Sequence, residues 1–325
     1  MNYVVFDLEW NQPFGNDISF MKHTKMPISG EIIQIGAVKL NEDLQIIDQF
    51  LVMVKPKYLT RMHKHVRELT GISNQDLNTG VPFKTAFVQF DLWCGDDCIL
   101  LSWGSDDVTM LRENIVLHKI KTNRLSSWVD AQLLYAYERH GNSEQVSVQR
   151  AMADLQISPG NLTAHNALHD AIFTAEICQK ISFKQGLLHY EDIRKLGPNP
   201  FLFPPIISFF IYENFQEKKR ILYDKRIRIS YCPYCQKELT MLKPERQQGD
   251  KFLALGHCPT HGAFAIQLRI GKYTKKNNIT NFFVTKTITH MTDEIRLVYE
   301  EKARINREKE ERYLAKLQAQ QVEEH

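Results

Sequence analysis

Apolar and polar positions divide this chain into a first half with the rhythm of an α/β domain and a second half punctuated by prolines and cysteines. Residues 3–6 form a short apolar run that ends in Asp7-Leu8-Glu9. Side chains i and i+2 of a strand share a face, so Asp7 and Glu9 are expected to project together from the end of a buried strand. Residues 31–40 and 46–54 read as two further strands joined by the turn-prone Asn41-Glu42-Asp43, which predicts a three-stranded antiparallel start. The polar, Gly/Pro-punctuated residues 11–29 read as a loop, and residues 60–69 as a short helix ending at Gly71. Pro82 suits a first helical position, and Phe83, Phe87, Phe90 and Trp93 follow with helical spacing, as core residues do. Residues 98–102 are continuously apolar, the mark of a buried parallel strand. A helix with Val108, Leu111, Ile115 and His118 near one face follows, then a strand-to-helix unit from Trp128-Val129-Asp130, then a short helix over 147–155. A long helix within 163–184 carries the small residues Ala171, Thr174, Ala175 and Cys178 on one face. The order β-β-β-α-β-α-β-α predicts an α/β fold with a mixed sheet flanked by helices.

The second half follows other rules. Residues 186–212 are Pro-rich and too apolar for a free linker, so residues 201–212 are expected to dock on the first domain or to support self-association or a protein partner. Cys232-Pro-Tyr-Cys235 and Cys258-Pro-Thr-His261 follow, with 22 residues between the two knuckles. C-x2-C facing C-x2-H across strand-like segments (238–243 and 251–255) reads as a zinc ribbon with tetrahedral Cys3His ligation, a closed and therefore structural site. His257 competes for the fourth position but lacks the two-residue spacing from Cys258. From an N-cap at Thr292, residues to about 320 are rich in Glu, Lys, Arg, Ala and Leu without a clean heptad, a mostly exposed helix able to engage a partner.

Composition excludes several classes. The 43% hydrophobic and 24% charged content is that of a soluble globular protein, and no apolar stretch is long enough to span a bilayer. No secretory signal is visible, and six cysteines with this spacing are no disulfide framework, so a cytoplasmic location is expected. The net charge of +3 conceals an asymmetry: −4 over residues 1–185, +9 over 186–289 and −2 over 290–325. An acidic domain joined to a basic one fits a metal site beside a polyanion-binding surface. The basic residues Lys218, Lys219, Arg220, Lys225, Arg226 and Arg228, with Lys272, Lys275 and Lys276, are interleaved with Tyr223, Tyr231, Tyr273 and Phe282, a composition that suits a single-stranded nucleic-acid path.

The acidic residues decide the chemistry. Two carboxylates on one strand face repel unless a cation lies between them, and an oxygen-only site suits Mg2+ or Mn2+. Asp106 and Asp107 follow a predicted buried strand, where catalytic groups commonly emerge in α/β sheets. His165 and Asp170 are five residues apart, about 140° on a helix, so His165 is expected before or at the helix start and Asp170 in the first turn.

D-x-E on a first strand, a mid-domain Asp and H-x4-D-A on the last helix resemble the DEDDh 3′–5′ exonucleases of the RNase H-like superfamily. Leu69-Thr70-Gly71-Ile72 resembles that family's L-T-G-I segment, and Trp103-Gly104 is similar to the KapD-like, RNA-trimming branch. The resemblance covers residues 1–185. It implies a five-stranded mixed sheet flanked by helices, with Asp7, Glu9, Asp107 and Asp170 as ligands of two Mg2+ or Mn2+ ions and His165 as general base. Asp107 is preferred to Asp106, which is left as an N-cap or a supporting residue, and His169 is taken as a packing histidine. Trp10, where many members carry small hydroxyl residues, and Trp103 are assigned to the substrate, together with Lys218, Lys219, Arg220, Arg226 and Arg228.

The predicted organisation is an exonuclease domain over 1–185, a connector over 186–225, a zinc-ribbon-like domain with little core of its own over 226–289, and a charged helix over 290–325. The resemblance implies an exonuclease that releases nucleoside 5′-monophosphates from the 3′ end of single-stranded nucleic acid, RNA before DNA, with the ribbon holding substrate. The alternatives are a DNA-specific repair exonuclease and a nucleic-acid-binding or scaffold protein on a vestigial nuclease fold; no short motif marks the sugar.

Overall fold

In a computed structural model the described residues are 1–14, 18–274 and 280–323. They form two compact units, Met1–Phe14 with Ile28–Pro200 and Gly15–Pro27 with Phe201–His325. In chain order the first half runs β1 (Asn2–Asn11), α1 (Ile18–Thr24), β2 (Glu31–Leu40), β3 (Ile46–Lys55), α2 (Lys64–Thr70), α3 (Asn74–Thr79), β4 (Val81–Pro82) and α4 (Phe83–Cys94). It continues through β5 (Cys98–Ser102), α5 (Asp106–Leu117), β6 (Trp128–Asp130), α6 (Ala131–His140), α7 (Val148–Asp154), α8 (Ala167–Lys180), α9 (Phe183–Leu188) and α10 (Tyr190–Ile193). Helix α1, in the segment read as a loop, belongs to the second unit.

The first unit is an α/β fold around a mixed sheet of order β4-β3-β2-β1-β5-β6. Strands β1, β2 and β3 are antiparallel neighbours, and β5 and β6 add parallel to β1. The sheet has six strands where five were expected. The residue before a proline is pushed to extended backbone, so Val81-Pro82 adds as a short edge piece parallel to β3, and Pro82 is the cap of α4 and not its first helical residue.

Strand β1 is buried on both faces, which explains its continuous apolar run. Val4, Phe6 and Leu8 pack with Phe83, Phe87 and Phe90 of α4. Tyr3 and Val5 pack on the opposite face, in the core that holds Ala171, Ala175 and Cys178 of α8. Asp7 and Glu9 continue that second face, so the alternation aims both carboxylates toward α8.

Glycine makes this approach possible. Gly36 of β2 pairs with Asp7, and a Cβ built on it would lie 2.1 Å from the Leu168 amide nitrogen and 2.2 Å from the Ala167 carbonyl carbon. No side chain can give way there, because the obstacle is backbone. Gly36→Ala is expected to cost about 1–3 kcal/mol in stability, the usual range for overpacking, and to lift the first turn of α8 off the site. Denaturant melts and activity on one preparation check this; unchanged values in both would contradict the packing described.

The second unit contains β7 (Ser208–Phe215), α11 (Lys225–Arg228), β8 (Thr240–Met241), β9 (Glu245–Arg246), β10 (Lys251–Cys258), β11 (Gly262–Thr274), β12 (Thr280–His290) and α12 (Asp293–Glu323). Its sheet has the order β7-β12-β11-β10-β8, with β9 also on β10. The apolar stretch after residue 201 leads into a strand paired with β12. The ribbon also has a core of its own, with Ile221, Ile227, Phe264, Ile266, Val284 and Ile288 almost fully buried. Nor do residues 186–225 form a separate connector, since Tyr190 and Ile193 pack in the first unit's core. Thr292 caps α12 through the Ile295 amide, and Ile295 and Tyr299 anchor its start, the Tyr299 hydroxyl donating to the Lys243 carbonyl at 2.8 Å. Among the described residues no helix is long and apolar enough to cross a membrane.

Candidate active site and metal cluster

Three structural devices gather the acidic residues. Strand β5 pairs with β1 only as far as Val5, which leaves the Leu8 amide free on that side. Asp107, at the start of α5, fills the gap by accepting from it at 3.0 Å, so its carboxylate is fixed between Asp7 and Glu9. The loop that delivers Asp107 is held by buried Asp130, which accepts from the Gly104 amide at 3.2 Å and the Leu133 amide at 3.0 Å. Gly104 has φ of 83°, a conformation that favours glycine.

The second device is the bulge in the β1–β2 register between Glu9 and Trp10, which interrupts regular pairing beside Glu9 before it resumes at Trp10 and Ile32. The third is the start of α8. Asn166 is its N-cap, accepting from the Leu168 and His169 amides, and the Ala167 amide donates to Gln34 Oε1 at 3.0 Å. Gln34 pairs with Glu9 across β1–β2 and so ties the helix start to the carboxylate face. His165 precedes the cap with φ of 63°, left-handed backbone that costs about 1–2 kcal/mol for a residue with a Cβ. That turn aims its amide at Asp170, which accepts at 2.8 Å.

The result is a crowded acid cluster. Burial raises Asp7 well above the carboxylate range, with Asp107, Asp170 and Glu9 adding to the shift. Burial, then Asp170 and Asp107, push Glu9 to about 8. Asp107 rises to about 7, chiefly through burial, against the lowering effect of the Leu8 amide. Burial also raises Asp170, opposed by the His165 amide and by His165 itself. Ligand atoms of Glu9, His165 and Asp170 lie within 4.8 Å of one another. An oxygen-rich set whose members destabilise each other's charge fits divalent cations, which reverse that penalty.

The chain matches the RNase_T exonuclease family over residues 4–178. It belongs to the exonuclease family. Membership implies dependence on a divalent metal and bears out the resemblance drawn from the motifs at the level of the family. The chain is 27% identical over 176 residues to ERI1 exoribonuclease 2 of Xenopus laevis, a match covering 46% of this chain. It spans only 25% of that curated relative's length. Among solved structures it is similar to the nuclease domain of 3′hExo, a DEDDh family member bound to rAMP (21% identity, TM-score 0.47, covering 61% of this chain and 96% of that one). It is also similar to the 3′-exonuclease in a structure of 3′-end-specific recognition of histone mRNA stem-loop (21% identity, TM-score 0.49, 56% and 64% covered).

The other predicted site residues fare unevenly. Ser105, not Asp106, is the N-cap of α5, and Asp106 is its first residue. His169 sits over the preceding loop, its Nδ1 3.0 Å from the Thr163 carbonyl oxygen. Trp103 is half-buried: it packs against the core beside Tyr135 and donates from Nε1 to the Val146 carbonyl at 2.7 Å. Trp10 packs on the α4-side core with its indole against Gly30, where a Cβ would lie 2.6 Å from its Cδ1. Of the basic residues, Lys218 pairs with Asp250 at 2.7 Å, Arg220 with Glu217 at 2.9 Å and Arg226 with Asp224 at 2.8 Å. Lys219, Lys225 and Arg228 are exposed, and the last two line a cavity of about 640 Å3. Lys275 and Lys276 lie outside the described residues. Asp130 and Gln34 escaped sequence reading. The signal for Asp130 was its place as an N-cap between strand and helix; a glutamine within an apolar strand was the signal for Gln34.

In the second unit Cys232, Cys235, Cys258 and His261 converge, their ligand atoms all within 4.8 Å of one another. His261 Nδ1 is 3.5 Å from the Cys232 sulfur and 3.7 Å from that of Cys258, and the Cys235 and Cys258 sulfurs are 3.7 Å apart. Tetrahedral zinc with Zn–S of about 2.3 Å and Zn–N of about 2.0 Å requires S···S edges near 3.8 Å and S···N edges near 3.5 Å. The donor set fits zinc in both identity and size.

Proposed function

We propose that the chain is a two-metal 3′–5′ exonuclease that hydrolyses single-stranded nucleic acid from its 3′ end, RNA in preference to DNA, and releases nucleoside 5′-monophosphates. The observation that carries this reading is the convergence of Asp7, Glu9, Asp107, Asp170 and His165 at the end of β1. The four carboxylates would hold two Mg2+ or Mn2+ ions. Such ions, when bound, activate water and stabilise the leaving 3′-oxygen. His165 takes the proton of the attacking water, and Glu9 and Asp170, both near its ring, favour the imidazolium that results. The preference for RNA is supported by the relative named an exoribonuclease. One structural zinc on Cys232, Cys235, Cys258 and His261 completes the cofactors, and the second unit, through Lys219, Lys225 and Arg228, helps to hold the strand.

The test is digestion of end-labelled single-stranded RNA and DNA side by side, with Mg2+ or Mn2+ and with chelator. Stepwise shortening from the 3′ end with mononucleotide release is expected. A metal-loaded protein that binds strands without shortening them would leave a vestigial nuclease fold. His165→Ala is expected to lower kcat by roughly 10²–10⁴-fold with metal affinity retained, the usual share of a general base. His169→Ala should change kcat little; the opposite ranking would transfer the base to His169.

A further inference from the structure

Beyond the acid cluster, the end of β1 carries a cation–aromatic assembly that the mechanism above does not use. Asn11 is fully buried, and its side chain fixes the loop before α2 to the strand end. Its Nδ2 donates to the carbonyls of Leu59 and Arg61, both at 2.8 Å, and its Oδ1 accepts from the His63 amide at 2.9 Å. This brings Arg61 and His63 against Phe14. The Phe14 and His63 rings are 5.1 Å apart, and the Arg61 guanidinium carbon is 5.3 Å from the Phe14 centroid. Phe14 is 48% exposed. Arg61 is exposed too, and no carboxylate lies against its guanidinium among the described residues. His63 Nδ1 is buried with no hydrogen-bond partner. Glu9 stands two residues before Asn11, about 7 Å along the strand.

A strand entering a site with four carboxylates is repelled, and the repulsion acts on every phosphate near the rim as well as on the one being cleaved. An unpaired cation held at that rim offsets it. The planar guanidinium offers paired N–H donors that match two phosphate oxygens, and its seat on an aromatic ring limits the freedom lost on binding. We propose that Arg61, seated on Phe14, binds the backbone phosphate that flanks the scissile one. The inference rests on the exonuclease reading. In a 3′–5′ exonuclease the terminal nucleotide carries only the scissile phosphate, so the flanking phosphate is the one 5′ of the penultimate nucleotide. Phe14, half open to solvent, then lies beside that nucleotide.

Dinucleotides with and without a 5′-phosphate isolate this contact, because that group is the flanking phosphate. For the wild-type protein with Mn2+, removing it should raise KM about tenfold or more, as loss of a hydrogen bond to a charged group does. Arg61→Gln should turn over both dinucleotides with the same raised KM and a kcat near the wild-type value. It should also reduce by about 1 the slope of log affinity against log salt for a longer strand, measured in Ca2+. Phe14→Ala, which keeps the cation and removes its seat, should fall between the two. An Arg61→Gln protein that still distinguishes the dinucleotides tenfold overturns the proposal. So does one that loses kcat with KM unchanged, which would place Arg61 on the reacting phosphate. A wild-type protein that cleaves neither dinucleotide nor any longer strand sinks the exonuclease reading itself, and this contact with it.

Discussion

Asp7→Asn is expected to abolish hydrolysis while raising the thermal stability of the metal-free protein. The two effects share one cause. Asp7 stands among Asp107, Asp170 and Glu9, and its raised pKa shows that the metal-free fold disfavours its charge. The isosteric amide removes that charge without opening a cavity, and it also removes a ligand from the site on which the metals depend. The loss in kcat should exceed about 10³-fold, more than a single electrostatic donor commonly supplies. The stability change has a definite sign. A carboxyl whose folded pKa lies above its unfolded value binds its proton more tightly when folded, so it stabilises the fold at low pH and loses that effect as pH rises through the folded pKa. With Asp107 near 7 and Glu9 near 8, wild-type Tm in chelator should fall as pH rises from 6 to 9. The Asp7→Asn protein should fall less, so its advantage widens with pH. Adding Mn2+ should reverse the order at pH 8 by raising the wild-type Tm and leaving the variant nearly unmoved. Full activity in a well-folded Asp7→Asn protein would end the exonuclease reading, and a lower Tm in chelator at pH 8 would mean that the cluster is not the strained set described.

The acid cluster was legible because its members lie at element ends with a fixed period. The i, i+2 alternation placed Asp7 and Glu9 together, and the five-residue offset set His165 outside the helix that carries Asp170. What escaped were interactions made by residues whose type permits several roles. Gln34 and Asp130 support the site through hydrogen bonds to backbone amides on other elements, and no local pattern announces such partners. Trp10 and Trp103 were assigned to substrate because an aromatic beside a catalytic motif can stack on a base, and that assignment did not show that each also packs, half-buried, against a core. In the second half the cysteine spacing and the Thr292 helix start were legible, and most of the sheet was not. The strands that extend the ribbon into a broad sheet pair across wide separations, β7 with β12 for example, and such pairing leaves no trace in a local window. Nor can composition show that Lys218, Arg220 and Arg226 each have an acidic neighbour, in Asp250, Glu217 and Asp224.

Cys232→Ser is expected to release about one equivalent of zinc and to unfold one end of the second unit while the rest of its sheet persists. Cys232 and Cys258 are fully buried, so the variant leaves a polar hydroxyl among three remaining ligands that no longer close a tetrahedron. Apart from the metal ligands, the segment between Ser230 and Met241 is held by the Cys232 amide on the Lys237 carbonyl, the Leu239 amide on the Ser230 carbonyl, a two-residue strand on β10, the buried Leu239 and the Tyr234 ring beside Phe264 and His290. Strands β7, β10, β11 and β12 share a core with Phe264, Ile266, Val284 and Ile288, which the metal does not build. Hydrogen exchange should therefore show protection lost over about 230–241 and retained in β11 and β12. The first unit has separate cores, so cleavage of dinucleotides should stay near the wild-type rate. Long strands should bind more weakly and with a flatter salt dependence, because Arg228 and Lys225 border the loosened segment and would no longer face Thr240 and Met241 across one cavity. Equal losses on dinucleotides and long strands would mean that the zinc cluster supports catalysis itself. Unchanged binding of long strands would assign the second unit to a protein partner, with its unpaired cations no more than a solvated surface.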